Sequence, residues 1–159
     1  MTDVTVSRLP GDFSAWDDLL GLIMRSFAYM DGVIDPPSSA HKLTPEALRR
    51  KAGEETCFIA TVDGRLVGCI FAADRQDALY VGKLAVDESS RGFGIGRMLM
   101  LAAERHALEQ GKPALELQTR VELLDNHATF ARLGFVEVER TAHEGYDRPT
   151  SLTLRKHIG

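Results

Sequence analysis

Leu84-Ala85-Val86-Asp87-Glu88-Ser89-Ser90-Arg91-Gly92-Phe93-Gly94-Ile95-Gly96-Arg97-Met98-Leu99-Met100 runs from an apolar strand end, through a glycine-rich turn, into the first turns of an amphipathic helix. Such a junction directs free backbone N–H groups and the positive end of a helix dipole at one point in space. A phosphate is the natural occupant of that point. Gly92, Gly94 and Gly96 remove the side chains that would hold a diphosphate off the backbone. Arg91 and Arg97 add full positive charges at either end of the turn. The segment predicts a phosphate-bearing ligand. A P-loop is excluded because Gly-x-x-x-x-Gly-Lys-Ser/Thr is absent. A dinucleotide fingerprint needs Gly-x-Gly-x-x-Gly and several parallel βα units, for which too little chain follows residue 96.

Outward from this turn, the order of elements can be read from periodicity and turn residues. Val4 to Leu9 is a first strand closed by Pro10-Gly11. Phe13, Trp16, Leu20, Ile23, Met24 and Phe27 recur at helical spacing. Asp31 to Ala40 holds Gly32 and Pro36-Pro37 and predicts an ordered loop. Thr44-Pro45 starts a short helix, with Thr44 as its cap, that ends near Gly53. Three strands follow, Thr56–Val62, Arg65–Ala73 and Ala78–Val86, the first two joined by a hairpin turn at Asp63-Gly64. A helix from the glycine turn to about Gln110 leads to a strand at Ala114–Arg120. Asp125-Asn126 caps a short helix ending at Gly134, and Phe135–Arg140 and Ser151–His157 close the chain. The order is β-α-α-β-β-β-α-β-α-β-β, an α/β chain with a mixed sheet flanked by helices on both faces.

The bulk properties set outer bounds. The 159 residues predict a single domain spanning 1-159. A formal charge of −4 without a Lys/Arg cluster argues against a nucleic-acid partner. No apolar run reaches membrane-span length and Met1-Thr2-Asp3-Val4 is unlike a signal peptide, so the expected location is cytoplasmic, off the membrane. No His/Cys/Asp/Glu constellation points to a metal. Cys57 and Cys69 are read as buried small hydrophobes; a regular hairpin at Asp63-Gly64 sets Cys57 opposite Ile70 and Cys69 opposite Phe58, with the thiols on opposite faces.

Arg91-Gly92-Phe93-Gly94-Ile95-Gly96 resembles the Arg/Gln-x-x-Gly-x-Gly/Ala signature of the GNAT superfamily, the acetyl-CoA-dependent N-acetyltransferases. Leu84-Ala85-Val86-Asp87 resembles that family's strand end, and Asn126 with Leu133-Gly134-Phe135 its second conserved block. The order of elements matches as well, so the resemblance covers nearly the whole chain. It implies a mostly antiparallel central sheet, splayed at the strand ending near Val86, and a single N-acetyltransferase-like domain. It implies that the backbone of residues 91–96, with Arg91 and Arg97, holds the pyrophosphate of acetyl-CoA. It further implies that Leu84, Ala85 and Val86 pair with the pantetheine arm and that Asn126 contacts it. The partner implied is a small-molecule or peptide amine, acetylated by a monomer or homodimer.

Acetyl transfer to an amine needs a neutral nucleophile, an oxyanion stabiliser and a proton for the departing thiolate. The Val86 N–H is the expected oxyanion contact. The chain departs from the family at Phe130, in the coenzyme-binding block, where a tyrosine commonly serves as acid. That departure keeps open an alternative, a non-catalytic acyl-CoA-binding or sensing module. Tyr80, placed by period two on one face with Gly82, Leu84 and Val86, lines the acceptor site, relays a proton or packs in the core. Lys83 then points to the opposite face in a structural role. His143 and Tyr146 lie in a polar loop that reaches the acceptor end in this family's fold, and His143 titrates near neutrality, as a base or as a solvated loop residue. Tyr29, Asp31 and Asp35 in the loop after the first helix, and Glu116 and Gln118 on a later strand, are candidate acceptor contacts. The two aspartates suit a cationic amine with an apolar part.

Overall fold

A computed structural model describes residues 3–159. The chain runs β1 (Val4–Arg8), α1 (Trp16–Phe27), α2 (Pro45–Glu54), β2 (Thr56–Val62), β3 (Arg65–Asp74) and β4 (Leu79–Val86). It continues as α3 (Ile95–Glu109), β5 (Ala114–Arg120), α4 (Leu124–Arg132), β6 (Val136–Thr141) and β7 (Ser151–His157), the element order expected from the sequence. The strands form one seven-stranded sheet ordered β1-β2-β3-β4-β5-β7-β6, antiparallel except between β4 and β5. Among the described residues no helix is long and apolar enough to cross a membrane.

Local chemistry explains the element ends. The Thr44 hydroxyl accepts from the Ala47 N–H at 3.1 Å, with Pro45 at the first helical position of α2. Asp63 and Gly64 both have positive φ, +50° and +77°, the signature of a type I′ hairpin turn. The α4 helix differs from expectation at its start. It begins at Leu124 with no side-chain cap, and Asp125 lies inside its first turn, where its charge complements the dipole. The loop between α1 and α2 contains two short 3₁₀ turns, Ala28–Met30 and Ser39–Lys42.

Helices cover both faces of the sheet. Leu19, Leu22, Ile23 and Leu48 of α1 and α2 pack with Cys57, Ile59, Cys69, Phe71 and Ala85 on one side. Ile95, Leu99, Met100 and Ala103 of α3 pack with Val67, Ile70, Leu79, Val81 and Leu115 on the other. Each fully buried leucine or isoleucine contributes roughly 2–3 kcal/mol. Gly68 is required by this second layer. A Cβ there would stand 3.0 Å from Leu99 Cδ1 and 3.2 Å from the Ala85 carbonyl oxygen.

Two β-bulges overturn the face assignments made by strict alternation. The β2/β3 ladder slips one residue near Ala60/Thr61, so Cys57 pairs with Phe71 and Cys69 with Ile59. Both thiols therefore sit on the α1–α2 side rather than on opposite faces. On β4 the register slips between Cys69/Ala85 and Phe71/Gly82, so Lys83 and Leu84 together oppose Ile70. Lys83 takes a left-handed backbone, φ +51°. Beyond the bulge the alternation is inverted: Tyr80 and Gly82 face α1, whereas Leu84 and Val86 face α3.

A cleft at the parting of two strands

Strands β4 and β5 pair only at Leu79↔Leu115 and Tyr80↔Glu116 and then diverge. The wedge between them opens into a cleft of about 1200 Å³ reaching from the glycine turn to the α1–α2 loop. Backbone groups on the facing edges of β4 and β5 lose their ladder partners there and must find others. The Asp87 N–H donates to the Val67 carbonyl at 2.8 Å, so by alternation the Val86 N–H points away from β3, into the opening. It donates to the Ser26 hydroxyl oxygen at 3.3 Å.

At one end of the cleft the glycine turn leads into the N-terminus of α3. Gly92 and Gly94 have φ of +90° and +74°, with open space where a side chain would stand. Gly96 has no such backbone requirement, and a Cβ there would make only ordinary contact with Val86 Cγ2 at 3.8 Å. Met98 is bonded back to the Gly94 carbonyl, and the three amides before it, of residues 95 to 97, precede the first intrahelical bond. No acidic residue lies in that first turn. Arg91, Gly92, Gly94, Ile95, Gly96 and Arg97 all line the cleft. Phe93 does not; its side chain is 69% exposed. This end can hold a diphosphate.

Along the walls, Leu84 and Val86 line the cleft, while Ala85 is buried against α1 and paired with Cys69 of β3. Asn126 donates through Nδ2 to the Tyr29 hydroxyl at 3.0 Å, linking the start of α4 to the loop after α1 across the opening. Phe130 lines the wall and packs edge-on against Phe135, ring centroids 6.0 Å apart.

The α1–α2 end is polar. Tyr80 and Gln118 line it, with the Arg75 guanidinium 4.5 Å from the Tyr80 ring centroid. Burial pushes the Tyr80 phenol above its usual range. His143 also lines the cleft, its Nδ1 against the Thr150 hydroxyl. Partial burial and then the Arg120 cation lower the His143 pKa below 6.5. Tyr146 stands outside this group. Its hydroxyl donates to Asp35 Oδ1, and Arg148 lies 3.6 Å from the same carboxylate. Asp31 accepts from His41 at 2.7 Å, beside a second cavity of about 240 Å³. Glu116 pairs with Arg155 at 3.1 Å. Thus Asp31, Asp35 and Glu116 serve local networks and do not line the main cleft.

Residues that the sequence does not point to complete this end: Lys83, Lys51, Arg120, Ser26 and Ser39. The bulge turns Lys83 inward, so its Nζ donates to Ser39 Oγ at 2.7 Å, 5.9 Å from the Phe27 ring centroid. For Lys83 the available signal was Gly82, since a glycine interrupting a strand marks a bulge.

Comparison with known proteins agrees with this geometry. The "Acetyltransferase (GNAT) family" model matches residues 16–135. IAA acetyltransferase of Azospirillum brasilense is 29% identical over 160 residues, covering 99% of this chain and 100% of the relative. Mycothiol acetyltransferase of Jonesia denitrificans is 34% identical over 90 residues, 54% of this chain but only 27% of that longer protein. A GNAT family acetyltransferase from Elizabethkingia anophelis, solved with acetyl-CoA bound, superposes with a TM-score of 0.69 at 14% identity, covering 98% of each chain. With the family model spanning most of the sequence and the strand-parted cleft beside a glycine cradle, this chain belongs to the acetyltransferase (GNAT) family, whose acetyl donor is acetyl-CoA.

Proposed function

We propose that the chain transfers the acetyl group of acetyl-CoA directly to a primary amine of a small molecule or peptide, with no acyl-enzyme. The observation that carries this reading is the parting of β4 from β5, which leaves the Val86 N–H directed into a cleft continuous with the glycine cradle. When bound, acetyl-CoA supplies an acetyl thioester. The amides at the start of α3, with Arg91 and Arg97, would hold the diphosphate, and the edge of β4 at Leu84 and Val86 would hold the arm. The Val86 N–H would polarise the carbonyl that receives the amine.

The direct route is supported by the cysteines. Burial pushes the Cys57 thiol up to about 12 and the Cys69 thiol well above the usual range, so neither supplies a thiolate near neutral pH. In direct transfer the amine nitrogen bonds to the acetyl carbon and the carbon–sulfur bond breaks. The proton lost by nitrogen is balanced by one gained at sulfur. His143, held neutral by its lowered pKa, suits removal of the first proton. Tyr80, held protonated by burial, is a donor for the second, a role Phe130 cannot fill.

Initial-rate kinetics over both substrates test the reading. Intersecting double-reciprocal lines are expected; parallel lines with acetyl trapped on a cysteine would replace direct transfer with a covalent route.

A further inference from the structure

We propose that the acceptor carries a carboxylate beside its amine, and that Lys83 and Arg120, two cations on the α1–α2 side of the cleft, hold that carboxylate. The inference rests on the reading of this cleft as the acetyl-transfer site, and it adds an anionic group to the cationic amine with an apolar part that Asp31 and Asp35 suggested. The aspartates behind that expectation are engaged by His41, Tyr146 and Arg148.

The cleft holds cations at both ends. Arg91 and Arg97 flank the diphosphate cradle, which accounts for their charge. Lys83 and Arg120 lie at the other end. Among the described residues, neither forms an ion pair with a carboxylate. The Lys83 ammonium has the Ser39 hydroxyl, and the Arg120 guanidinium has the carbonyl oxygens of Pro36 and Pro37 at 2.6 and 3.1 Å. Lys51, a third cation lining the same end, is paired with Glu55 at 2.8 Å. Glu122 and Asp35 act on Arg120 from beyond ion-pair distance and offset part of the repulsion between these gathered cations, and a bound anion removes the rest. The neighbouring surface of Phe27, Met30, Ile34 and Leu43 suits an apolar body on the same ligand.

The backbone supports a purpose for Lys83. A non-glycine residue at φ +51° is strained, and strain of this kind persists where the surroundings enforce it, often at functional sites. Glycine would be the unstrained residue here. The groups facing Lys83 are Lys51, Arg120, Glu55, Ser39 and Phe27, and its pKa is lowered by burial first, then by Lys51 and Arg120, with Glu55 opposing. Carboxylate binding therefore weakens as pH rises through a value below 10.5, when the ammonium loses its proton.

The test compares matched acceptors on wild type, Lys83→Gly and Lys83→Arg: apolar amino acids, their amides, and the corresponding amines without the carboxylate. Thiol release gives KM and kcat, with KM for acetyl-CoA measured in parallel. The inference predicts that amino acids have the lowest KM, and that Lys83→Gly raises it by about 30-fold while leaving amides within threefold. The variant should keep the wild-type melting temperature or exceed it, and KM for acetyl-CoA should stay within twofold. Lys83→Arg should restore binding and move its alkaline limb to higher pH. Equal KM for amides and amino acids, or a loss confined to acetyl-CoA, would overturn the inference. If no acceptor of any kind is acetylated although acetyl-CoA binds, the acetyl-transfer reading fails. Titration of 3-phenylpropionate into the acetyl-CoA-loaded protein then decides the carboxylate site separately: Lys83-dependent binding supports it and absence of binding overturns it.

Discussion

The two ends of the cleft are both cationic and both contain left-handed backbone, yet they announce themselves in opposite ways. The end proposed for the coenzyme is local: Arg91 to Arg97 is one continuous segment, and Gly92 and Gly94 carry the positive φ values that the turn demands. The end proposed for the acceptor is assembled from α1, the α1–α2 loop, α2, β4, β5 and the β6–β7 loop, and its positive φ falls on a lysine. A site built on one segment with glycine at its left-handed positions leaves a motif. A site built from scattered residues of six segments leaves none.

The largest expected effect sharpens the local end. Gly96→Val should abolish acetyl-CoA binding, at least 100-fold by calorimetry, because a branched side chain would enter the cradle without backbone strain at that position. Gly94→Val should also abolish binding, but with lower stability by about 1–2 kcal/mol, because its φ is +74°. Normal binding by Gly96→Val would remove the cradle from the account.

His143 tests the dispersed end at the next magnitude. In wild type kcat/KM should fall with acidity through an inflection below 6.5, since the neutral ring is the competent form and its pKa is lowered. His143→Gln should flatten that limb and cost about 100-fold at pH 7. An unchanged profile would leave His143 as a loop residue fastened to Thr150.

A smaller effect probes the link between the two ends. Tyr29→Phe removes the hydrogen bond to Asn126, worth about 1 kcal/mol or less at this exposed position. Freed from Tyr29, Asn126 can turn to the coenzyme arm, so acetyl-CoA affinity should rise by about two- to fivefold in a titration. A loss of affinity would show that Tyr29 itself contacts the coenzyme.

The comparison also explains what was legible in the sequence. Element order was legible because helices and strands have fixed periods and because Asp63-Gly64, Thr44-Pro45 and the glycine turn punctuate them. Side-chain facing was legible only up to the first bulge. One inserted residue in β3 moved Cys69 to the face of Cys57, and one in β4 swung Lys83 into the cleft. Gly68 and Gly82 mark both places, yet a glycine in a strand does not say which neighbour takes up the extra length. Lys51 and Arg120 were invisible for another reason. A single basic residue on an amphipathic element has the pattern of a solvated one, and only the convergence of elements makes it part of a site.

The central claim is that both substrates meet in one cleft and react directly. Its most direct measurement is the initial-rate pattern with acetyl-CoA and an acceptor amine varied together. The account predicts intersecting lines, unchanged when Cys57 and Cys69 are both replaced by alanine. Parallel lines, together with acetyl covalently bound to the protein after incubation with acetyl-CoA alone, would contradict it.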